Sequence, residues 1–305
     1  MPKAVRFNTY GGPEVLDVVE VEVPPVGPGE VLVRVRAAGL NLGEAKIRTG
    51  FLHDRFPATF PSGEGSDLAG IVETIGSGVT RFTGGDAVVG FTDDRASHAE
   101  VVVVQEANLT AKPTSVPWEV AGSLFVAGTT AYAAVRAVAP TEGETVVVAG
   151  AAGGVGGIAC QLAKRRGARV IGTASTKDHD WLRSIGVEPV SYEGQLSEAL
   201  AALTPRIDAF IDTAGHGNVQ LAIEAGVDPS RIDTIIDFPA VGQFGVKAEG
   251  SAAAANSAVL AELLALLEGG ELEVPIARTF PLDEVQAAFR YLEDKPARGK
   301  VVLIP

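Results

Sequence analysis

A cluster of small residues at positions 150–157 has the composition and spacing of a phosphate-binding turn. It reads Gly-Ala-Ala-Gly-Gly-Val-Gly-Gly and follows an apolar run, Thr145–Ala149, which is typical of a buried parallel strand. The next segment is rich in Ala and Leu and ends in three cations before Gly167, which predicts a helix. Backbone N–H groups at the start of such a helix can hold a pyrophosphate when glycines let the backbone come close.

A second predicted strand, Arg169–Thr173, completes a βαβ unit around this turn. A glycine motif alone is weak evidence, but here a strand precedes it and a helix and strand follow. Gly153 and Gly156 take the two later positions of the motif, and Ala151 takes the first, where alanine is tolerable if φ stays negative. The sequence therefore predicts a dinucleotide-binding unit, with a purely structural turn as the alternative.

The end of the second strand bears on the choice of nicotinamide cofactor. NAD-binding units place an acidic residue there to bind the ribose 2′-hydroxyl. Here residues 171–177 carry no carboxylate, and the first one is Asp178. Small hydroxyls and the ammonium of Lys177 suit a 2′-phosphate. We therefore expect NADPH in preference to NADH, with Asp178 either a helix N-cap or a competitor for the ribose.

The elements around this unit fall into two patterns. Residues 1–120 show short alternating strands at 4–7, 16–23, 31–39, 67–75, 87–91 and 98–104, with a loop over 24–30, which predicts a β-rich, barrel-like domain. Helices at 118–124 and 128–138 then lead into alternating strands (145–149, 169–173, 189–192, 207–212, 231–237) and helices (155–166, 178–185, 195–203, 217–225, 252–268). Segments 272–278, 282–293 and 299–304 are predicted to return to the first domain. The fold class is α/β.

Composition narrows the function classes. The 305 residues carry a formal charge of −13, which argues against a nucleic-acid or anionic-membrane surface. The single cysteine, Cys160, excludes disulfides within the chain and multi-thiolate metal sites, and its helical position predicts a core residue. No signal-peptide pattern and no run of transmembrane length occurs, so we expect a cytoplasmic protein.

Several motifs along the chain together indicate a protein family. They are Gly39-Leu40-Asn41, Gly65-Ser66-Asp67-Leu68-Ala69-Gly70, Val126 to Tyr132, the glycine turn, and Gly299-Lys300-Val301-Val302-Leu303. With these motifs the chain resembles the zinc-free quinone oxidoreductase (zeta-crystallin-like) branch of the medium-chain dehydrogenase/reductase superfamily. The resemblance implies a GroES-like β-rich barrel domain at 1–122, completed by 272–305, and a Rossmann doubly wound parallel-sheet domain at 123–271.

The resemblance also bears on metal. Zinc alcohol dehydrogenases have a cysteine in place of Asn41 and Gly-His-Glu in place of residues 65–67, and both are lost here. Zinc needs three or four N, S or O ligands. The histidines lack ligand spacing, and we expect His53, His98, His179 and His216 to be solvated or structural. We therefore predict no metal site, which disfavours alcohol oxidation and leaves hydride transfer to a quinone or α,β-unsaturated carbonyl.

The resemblance assigns roles to individual residues. Asn41 and Thr129 are carried over as contacts at the nicotinamide end and are the catalytic candidates, with a turn asparagine and an N-capping threonine as alternatives. We expect NADPH to lie between the domains, with its nicotinamide near these two residues and the loop 238–240. The expected cofactor contacts are Ala152, Gly153, Gly154, Val155, Gly156, Thr173, Ser175, Lys177, Tyr192, Phe238 and Lys300.

Some assignments stay open. No proton donor stands out: Glu44 qualifies by location only, and a solvated carboxylate at a helix start is the alternative. Many relatives have a tyrosine near Ile47, so isoleucine there predicts an altered or more apolar acceptor. An enoyl-thioester reductase of the same superfamily and a non-catalytic NADPH-binding protein remain alternatives. The resemblance further implies a homodimer that pairs through the sheet edge at 232–238.

Overall fold

The computed structural model describes residues 1–23, 25–294 and 298–305, so Pro24 of the predicted loop lies outside the described residues. The chain divides into two compact units, one formed by residues 1–126 and 256–305 and the other by residues 127–255. This division differs from the domain limits expected from the sequence mainly at residues 256–271, which group with the first unit.

The strands and helices are numbered in chain order. The strands are β1 Lys3–Phe7, β2 Asp17–Glu20, β3 Glu30–Gly39, β4 Ser62–Gly63, β5 Asp67–Ile75, β6 Ala87–Phe91, β7 Val101–Gln105, β8 Leu109–Ala111, β9 Thr145–Ala149, β10 Arg169–Ala174, β11 Glu188–Ser191, β12 Ala209–Asp212, β13 Ile232–Thr234, β14 Ile276–Pro281 and β15 Lys300–Ile304. The helices are α1 Leu42–Arg48, α2 Trp118–Ala121, α3 Phe125–Val138, α4 Gly154–Arg165, α5 His179–Ser184, α6 Leu196–Leu203, α7 Asn218–Glu224, α8 Phe238–Phe244, α9 Ser257–Glu268 and α10 Val285–Asp294.

The first unit is built on a seven-stranded sheet with the order β14-β15-β3-β5-β6-β8, in which β7 also pairs with β3. Alternate residues of β3, such as Val31, Val33 and Val35, are buried in one core, as the alternating pattern predicts. Strand β15 pairs antiparallel with β3. Leu303 of β15 and Phe289 of α10 are both buried in a second core of this unit. Residues 300–304 therefore belong to the same sheet as β3.

The second unit contains a five-stranded parallel sheet with the order β11-β10-β9-β12-β13. Central strand β9 is buried at all five residues, as its apolar run predicts. Helices follow β9, β10, β11, β12 and β13 in turn, which is the alternation of a Rossmann-like sheet. The predicted fold class, a β-rich domain plus a doubly wound parallel-sheet domain, is confirmed.

Edge strand β13 is less open than the predicted pairing edge requires. The N–H of Thr234 donates to the carbonyl of Lys247 at 3.0 Å, and the Lys247 N–H donates to the carbonyl of Ile232 at 3.0 Å. These bonds occupy the outer side of the strand. The expectation of an exposed edge at these residues is therefore wrong, because a later segment of the same chain covers it.

Two further expectations are corrected. The predicted loop at 238–240 is the first turn of α8, where Pro239 suits a helix start because its missing N–H would be unpaired there anyway. The helix expected from residue 252 begins at Ser257, because Asn256 caps it by accepting from the Val259 N–H at 2.9 Å. The helix start suggested near Glu44 is that of α1, whose bounds the sequence did not give.

Candidate active site

The glycine turn joins β9 to α4 in the conformation that the sequence requires. Its left-handed residue is Gly150, with φ of 77°, and Ala151 is not among the residues with positive φ, which meets the condition for alanine there. The Ala151 N–H donates to the carbonyl of Thr173 at 2.9 Å, so the turn is tied to neighbouring strand β10. Alanine is therefore tolerated at the first motif position.

The later glycines permit a close approach of backbone to backbone. A Cβ on Gly156 would lie 2.2 Å from the Gly150 carbonyl oxygen, and one on Gly153 would lie 3.2 Å from it. Gly153 is the N-cap of α4, and helix geometry leaves the N–H groups of residues 154–156 without intrahelical acceptors. This end of α4 fits an anionic group such as a pyrophosphate.

Thr173 and Thr213 fix the turn from both sides. The Gly150 N–H donates to Thr173 Oγ1 at 3.2 Å, and Thr213 Oγ1 donates to the Ala149 carbonyl at 2.6 Å. Thr173 is buried, so the structure shows it supporting the turn, and its predicted contact with the cofactor stays a prediction. Thr213 was missed because its distance along the chain gave no local signal.

The residues expected at a 2′-phosphate follow β10. Ser175 is extended and precedes a short 3₁₀ turn, Thr176–Asp178, in which Lys177 is exposed. Asp178 is buried and occupies the N-cap position of α5, but its side chain makes no capping hydrogen bond. Tyr192 directly follows β11, which neighbours β10, and is 48% exposed. Lys177 is therefore exposed to solvent, whereas the side chain of Asp178, which could compete for the ribose, is buried.

Asn41 lies at the start of α1 inside a buried polar network of the first unit. Its Nδ2 donates to Glu44 Oε1 at 3.2 Å and to Asp67 Oδ2 at 3.3 Å. Its Oδ1 accepts from Lys300 Nζ at 2.5 Å, and the same ammonium donates to the Leu40 carbonyl at 2.9 Å. The sequence motifs include Asn41 and Asp67, but the sequence does not predict that both contact Lys300.

Glu44 is not the solvated carboxylate that the sequence suggested. It is buried, and its oxygens accept from the backbone N–H groups of Asn41, at 2.8 Å, and Ser66, at 3.0 Å, which offsets the cost of burial. Burial raises the pKa of Glu44, and the hydrogen bonds from Asn41 oppose that rise. Burial also raises the pKa of Asp67 to about 6, while the charge of Lys300 opposes it.

His98 is buried beside this network. Its Nε2 lies 3.2 Å from the Gly39 carbonyl, which can only accept, so this nitrogen carries the hydrogen. Burial lowers the pKa of His98 to about 4, which keeps the ring neutral at physiological pH. No three His, Cys, Asp or Glu side chains of the described ranges are grouped to hold a metal ion.

The remaining predicted residues are placed individually. Thr129 is fully buried in α3, and Phe238, at the start of α8, is 36% exposed. Cys160 is buried within α4, as predicted. No helix in the described part of the chain has the length and apolar character needed to cross a bilayer.

Comparisons with known proteins agree with this architecture. Family models described as "Alcohol dehydrogenase GroES-like domain" and "Zinc-binding dehydrogenase" match residues 27–141 and 185–303. A quinone oxidoreductase of Pseudomonas aeruginosa is 31% identical over 334 residues, with 100% of both chains covered. The NADPH-dependent alkenal/one oxidoreductase of Arabidopsis thaliana is 30% identical, covering 99% of this chain and 79% of the relative.

A solved structure shows the same fold along the whole chain. The quinone oxidoreductase from Coxiella burnetii superimposes with a TM-score of 0.90 at 31% identity, covering 100% of this chain and 99% of that one. The predicted GroES-like and Rossmann-like domains and the resemblance stated above are confirmed. The protein is an enzyme of the medium-chain reductase kind, and it belongs to the quinone oxidoreductase branch of the medium-chain dehydrogenase/reductase superfamily.

Proposed function

We propose that the protein is an NADPH-dependent oxidoreductase that reduces a quinone or an α,β-unsaturated carbonyl compound without zinc. The observation that carries this proposal is the β9–α4 turn, where a Cβ at Gly156 would clash 2.2 Å from the Gly150 carbonyl. Such a close turn leaves the N-terminus of α4 accessible to a pyrophosphate. NADPH, when bound, supplies the hydride. Relatives named as quinone and NADPH-dependent alkenal/one oxidoreductases support the acceptor class.

Different residues of the chain would bind the two phosphate-bearing parts of the coenzyme. The N–H groups of residues 154–156 would hold the pyrophosphate, and Ser175, Lys177 and Tyr192 the 2′-phosphate. A phosphate monoester carries close to two negative charges at neutral pH, so an exposed ammonium stabilises it. The burial of Asp178 favours the phosphorylated coenzyme, because an exposed carboxylate at this point would repel the phosphate.

The residues in the first unit do not fit a zinc ion. Lys300 Nζ lies 3.7 Å from Asp67 Oδ2 and already occupies Asn41 Oδ1. An ammonium at this point repels a second cation, and Zn²⁺ prefers thiolate and imidazole ligands. We therefore propose that activation of the acceptor depends on positioning and on the coenzyme. Isoleucine at position 47 favours an apolar acceptor.

A coenzyme titration and a substrate panel test the proposal. NADPH and NADH oxidation is measured with quinones, enones and enoyl-thioesters, in protein whose zinc content has been determined. We expect turnover of NADPH with quinones or enones and no stoichiometric zinc. Turnover confined to enoyl-thioesters, a preference for NADH, or activity that disappears with a chelator and returns with zinc would contradict the proposal.

Lys177→Ala tests the coenzyme assignment separately. Loss of the ammonium should raise the Kd for NADPH about tenfold, equal to about 1.4 kcal/mol, and leave the Kd for NADH unchanged. Arg166→Ala, an exposed cation at the opposite end of α4, is the matched control. An unchanged NADPH affinity in Lys177→Ala would show that this residue does not bind the phosphate.

A further inference from the structure

The ammonium of Lys300 lies in the interior of the first unit, on the first residue of the last strand. The residue is only 4% exposed, and its Nζ donates to the Leu40 carbonyl at 2.9 Å and to Asn41 Oδ1 at 2.5 Å. Its third neighbour is Asp67 Oδ2 at 3.7 Å. A lysine this deeply buried needs such partners, because burial of an unpaired ammonium costs far more than its packing returns.

These contacts fix which way the Asn41 amide faces. An ammonium can only donate, so the amide oxygen must face Lys300. The Nδ2 group is then directed to Glu44 Oε1 at 3.2 Å and Asp67 Oδ2 at 3.3 Å, both acceptors when ionised. Both sides of the amide therefore have fixed partners. A flipped amide would place its one oxygen against two carboxylate oxygens and its NH2 group against an ammonium.

The partners of Asn41 are themselves fixed by backbone groups. Glu44 accepts from the N–H groups of Asn41 and Ser66, at 2.8 and 3.0 Å, and Asp67 Oδ1 accepts from the Val126 N–H at 2.8 Å. Lys300 is the only cation among the groups bonded to the Asn41 side chain in the described structure. It therefore balances one of two buried carboxylates and orients the amide that bridges them.

We propose that Lys300 is a positioning residue for hydride transfer, which acts by holding the Asn41 side chain in one orientation and does not itself touch the reacting atoms. The inference rests on the proposed function and on the role that the resemblance assigns to Asn41, a contact at the nicotinamide end of the coenzyme. Misplacement of a positioned group lowers the rate of the chemical step more than it weakens coenzyme binding.

Three variants separate positioning from simple stability. Lys300→Met should lower kcat about 10- to 100-fold with less than about a threefold change in the Kd for NADPH. Lys300→Arg keeps the charge and the donors and should recover most of kcat. Lys3→Met, which removes an exposed lysine paired with Asp283 in the same unit, is the control and should leave kcat unchanged.

The dependence of kcat on pH distinguishes positioning from a purely structural role, because a loss of stability alone would not shift the acid limb of kcat. The titratable groups that interact with the ammonium are Glu44 on α1, Asp67 on β5 and His98 before β7, and Glu44 in turn interacts with Glu64. The positive charge of Lys300 lowers the pKa of Asp67, so its removal raises that pKa above about 6. The acid limb of kcat in Lys300→Met should therefore move to higher pH, whereas that of Lys300→Arg should stay in place.

A crystal structure of Lys300→Met tests the geometry independently of turnover, so it distinguishes this inference from the proposed function. We expect the Asn41 amide to turn or to lose its single orientation. An unchanged Asn41, or a kcat within about twofold of wild type with the same acid limb, would overturn the proposal. If Lys300→Met does not fold, Lys300→Met combined with Asp67→Asn restores the charge balance and is expected to fold with the same loss of kcat. Wild-type protein without NADPH turnover would refute the proposed function alone.

Discussion

At the scale of single residues, the first unit buries several ionisable side chains, among them Glu44, Glu64 and Asp67. Glu64 is only 2% exposed, and burial raises its pKa well above the ordinary value of a glutamate. The negative charge of Glu44 raises it further, and Arg48 and Arg95 oppose the rise. The side chain is therefore held in its neutral form over a wide pH range.

Glu64→Gln should remove a pH-dependent loss of stability. Because the folded-state pKa is raised, the unfolded chain releases this proton above about pH 4.5 while the folded chain keeps it, so stability falls as pH rises toward the folded pKa. Glutamine cannot ionise. Thermal melts should show equal Tm values near pH 4.5 and a higher Tm for Glu64→Gln at pH 8, by about 2–4 °C for each kcal/mol. Parallel Tm curves across this range would contradict the prediction.

The conformation of the glycine turn could be predicted because its neighbours along the chain define its surroundings. The exposure of Lys177 after β10 follows from local sequence in the same way, and its contact with the coenzyme stays a prediction. The burial of Glu44 could not be predicted, because it depends on Ser66 and on the network that Lys300 enters from the other end of the chain. The orientation of Asn41 has the same cause. Long-range contacts leave no periodic signal in a single sequence.

At the scale of elements, the β9–α4 connection brings two backbone segments of the second unit close together. A Cβ on Gly156 would lie 2.2 Å from the Gly150 oxygen and 2.8 Å from its carbonyl carbon. Both are backbone atoms, so a change of side-chain rotamer cannot relieve the clash. The close approach at the start of α4, where we propose that the coenzyme binds, therefore depends on glycine at this position.

Gly156→Ala should displace α4 from β9. Because the N–H groups proposed to bind the pyrophosphate would move with the helix, the Kd for NADPH should rise at least about tenfold. Coenzyme fluorescence titration measures this change. Gly242→Ala, in α8, is the matched control because no atom lies within 4 Å of its added Cβ. The control should bind NADPH normally and gain about 0.5–1 kcal/mol of stability. Normal binding by Gly156→Ala would show that the turn can adjust.

The start of β9 is anchored by an ion pair with the segment before β13. Arg231 donates to both carboxylate oxygens of Glu144, at 3.0 and 2.6 Å, and its Nε donates to the Val138 carbonyl at 2.8 Å. Hydrogen bonding to Arg231 lowers the pKa of Glu144 to about 2. The pair thus fastens the central strand to the edge of the sheet.

Glu144→Gln should cost about 1–2 kcal/mol at pH 7, the usual range for a partly buried, charge-assisted pair. The folded-state pKa is depressed, so this stabilisation is present above about pH 4.5 and is lost as pH falls toward about 2. Denaturant unfolding of the wild type and the variant should therefore converge at low pH. Glu142→Gln, at an exposed position of the same loop, is the control. A difference that persists at pH 2 would argue against the ion pair as its source.

Many elements of the second unit were predictable because β9 is an unbroken apolar run and helices such as α4 end in cations followed by glycine. The errors occurred at short or mixed segments. Helix α8 opens with Phe-Pro-Ala and contains Gly242, a composition that suggests a loop until Pro239 is placed in the first turn. Helix α1 has seven residues, too few for a clear helical period.

At the scale of the whole molecule, association through β13 is constrained by its own chain. The covering bonds of Lys247 to Ile232 and Thr234 leave few unpaired backbone groups on the outer side of this strand. A homodimer remains our proposal from the resemblance, with contacts made outside these three residues. Light scattering should give twice the chain mass, and disruption of the dimer by Thr234→Pro alone would place the contact back on the strand itself.

The pairing of β15 with β3 has a consequence for biosynthesis. The second unit is one continuous stretch, residues 127–255, so it can fold as soon as that stretch has left the ribosome. The first unit cannot close at that stage, because Leu40 bonds to Val301 and Asn41 to Lys300, which are translated some 260 residues later. The nascent chain must therefore keep its amino-terminal strands from aggregating until the last ones are made.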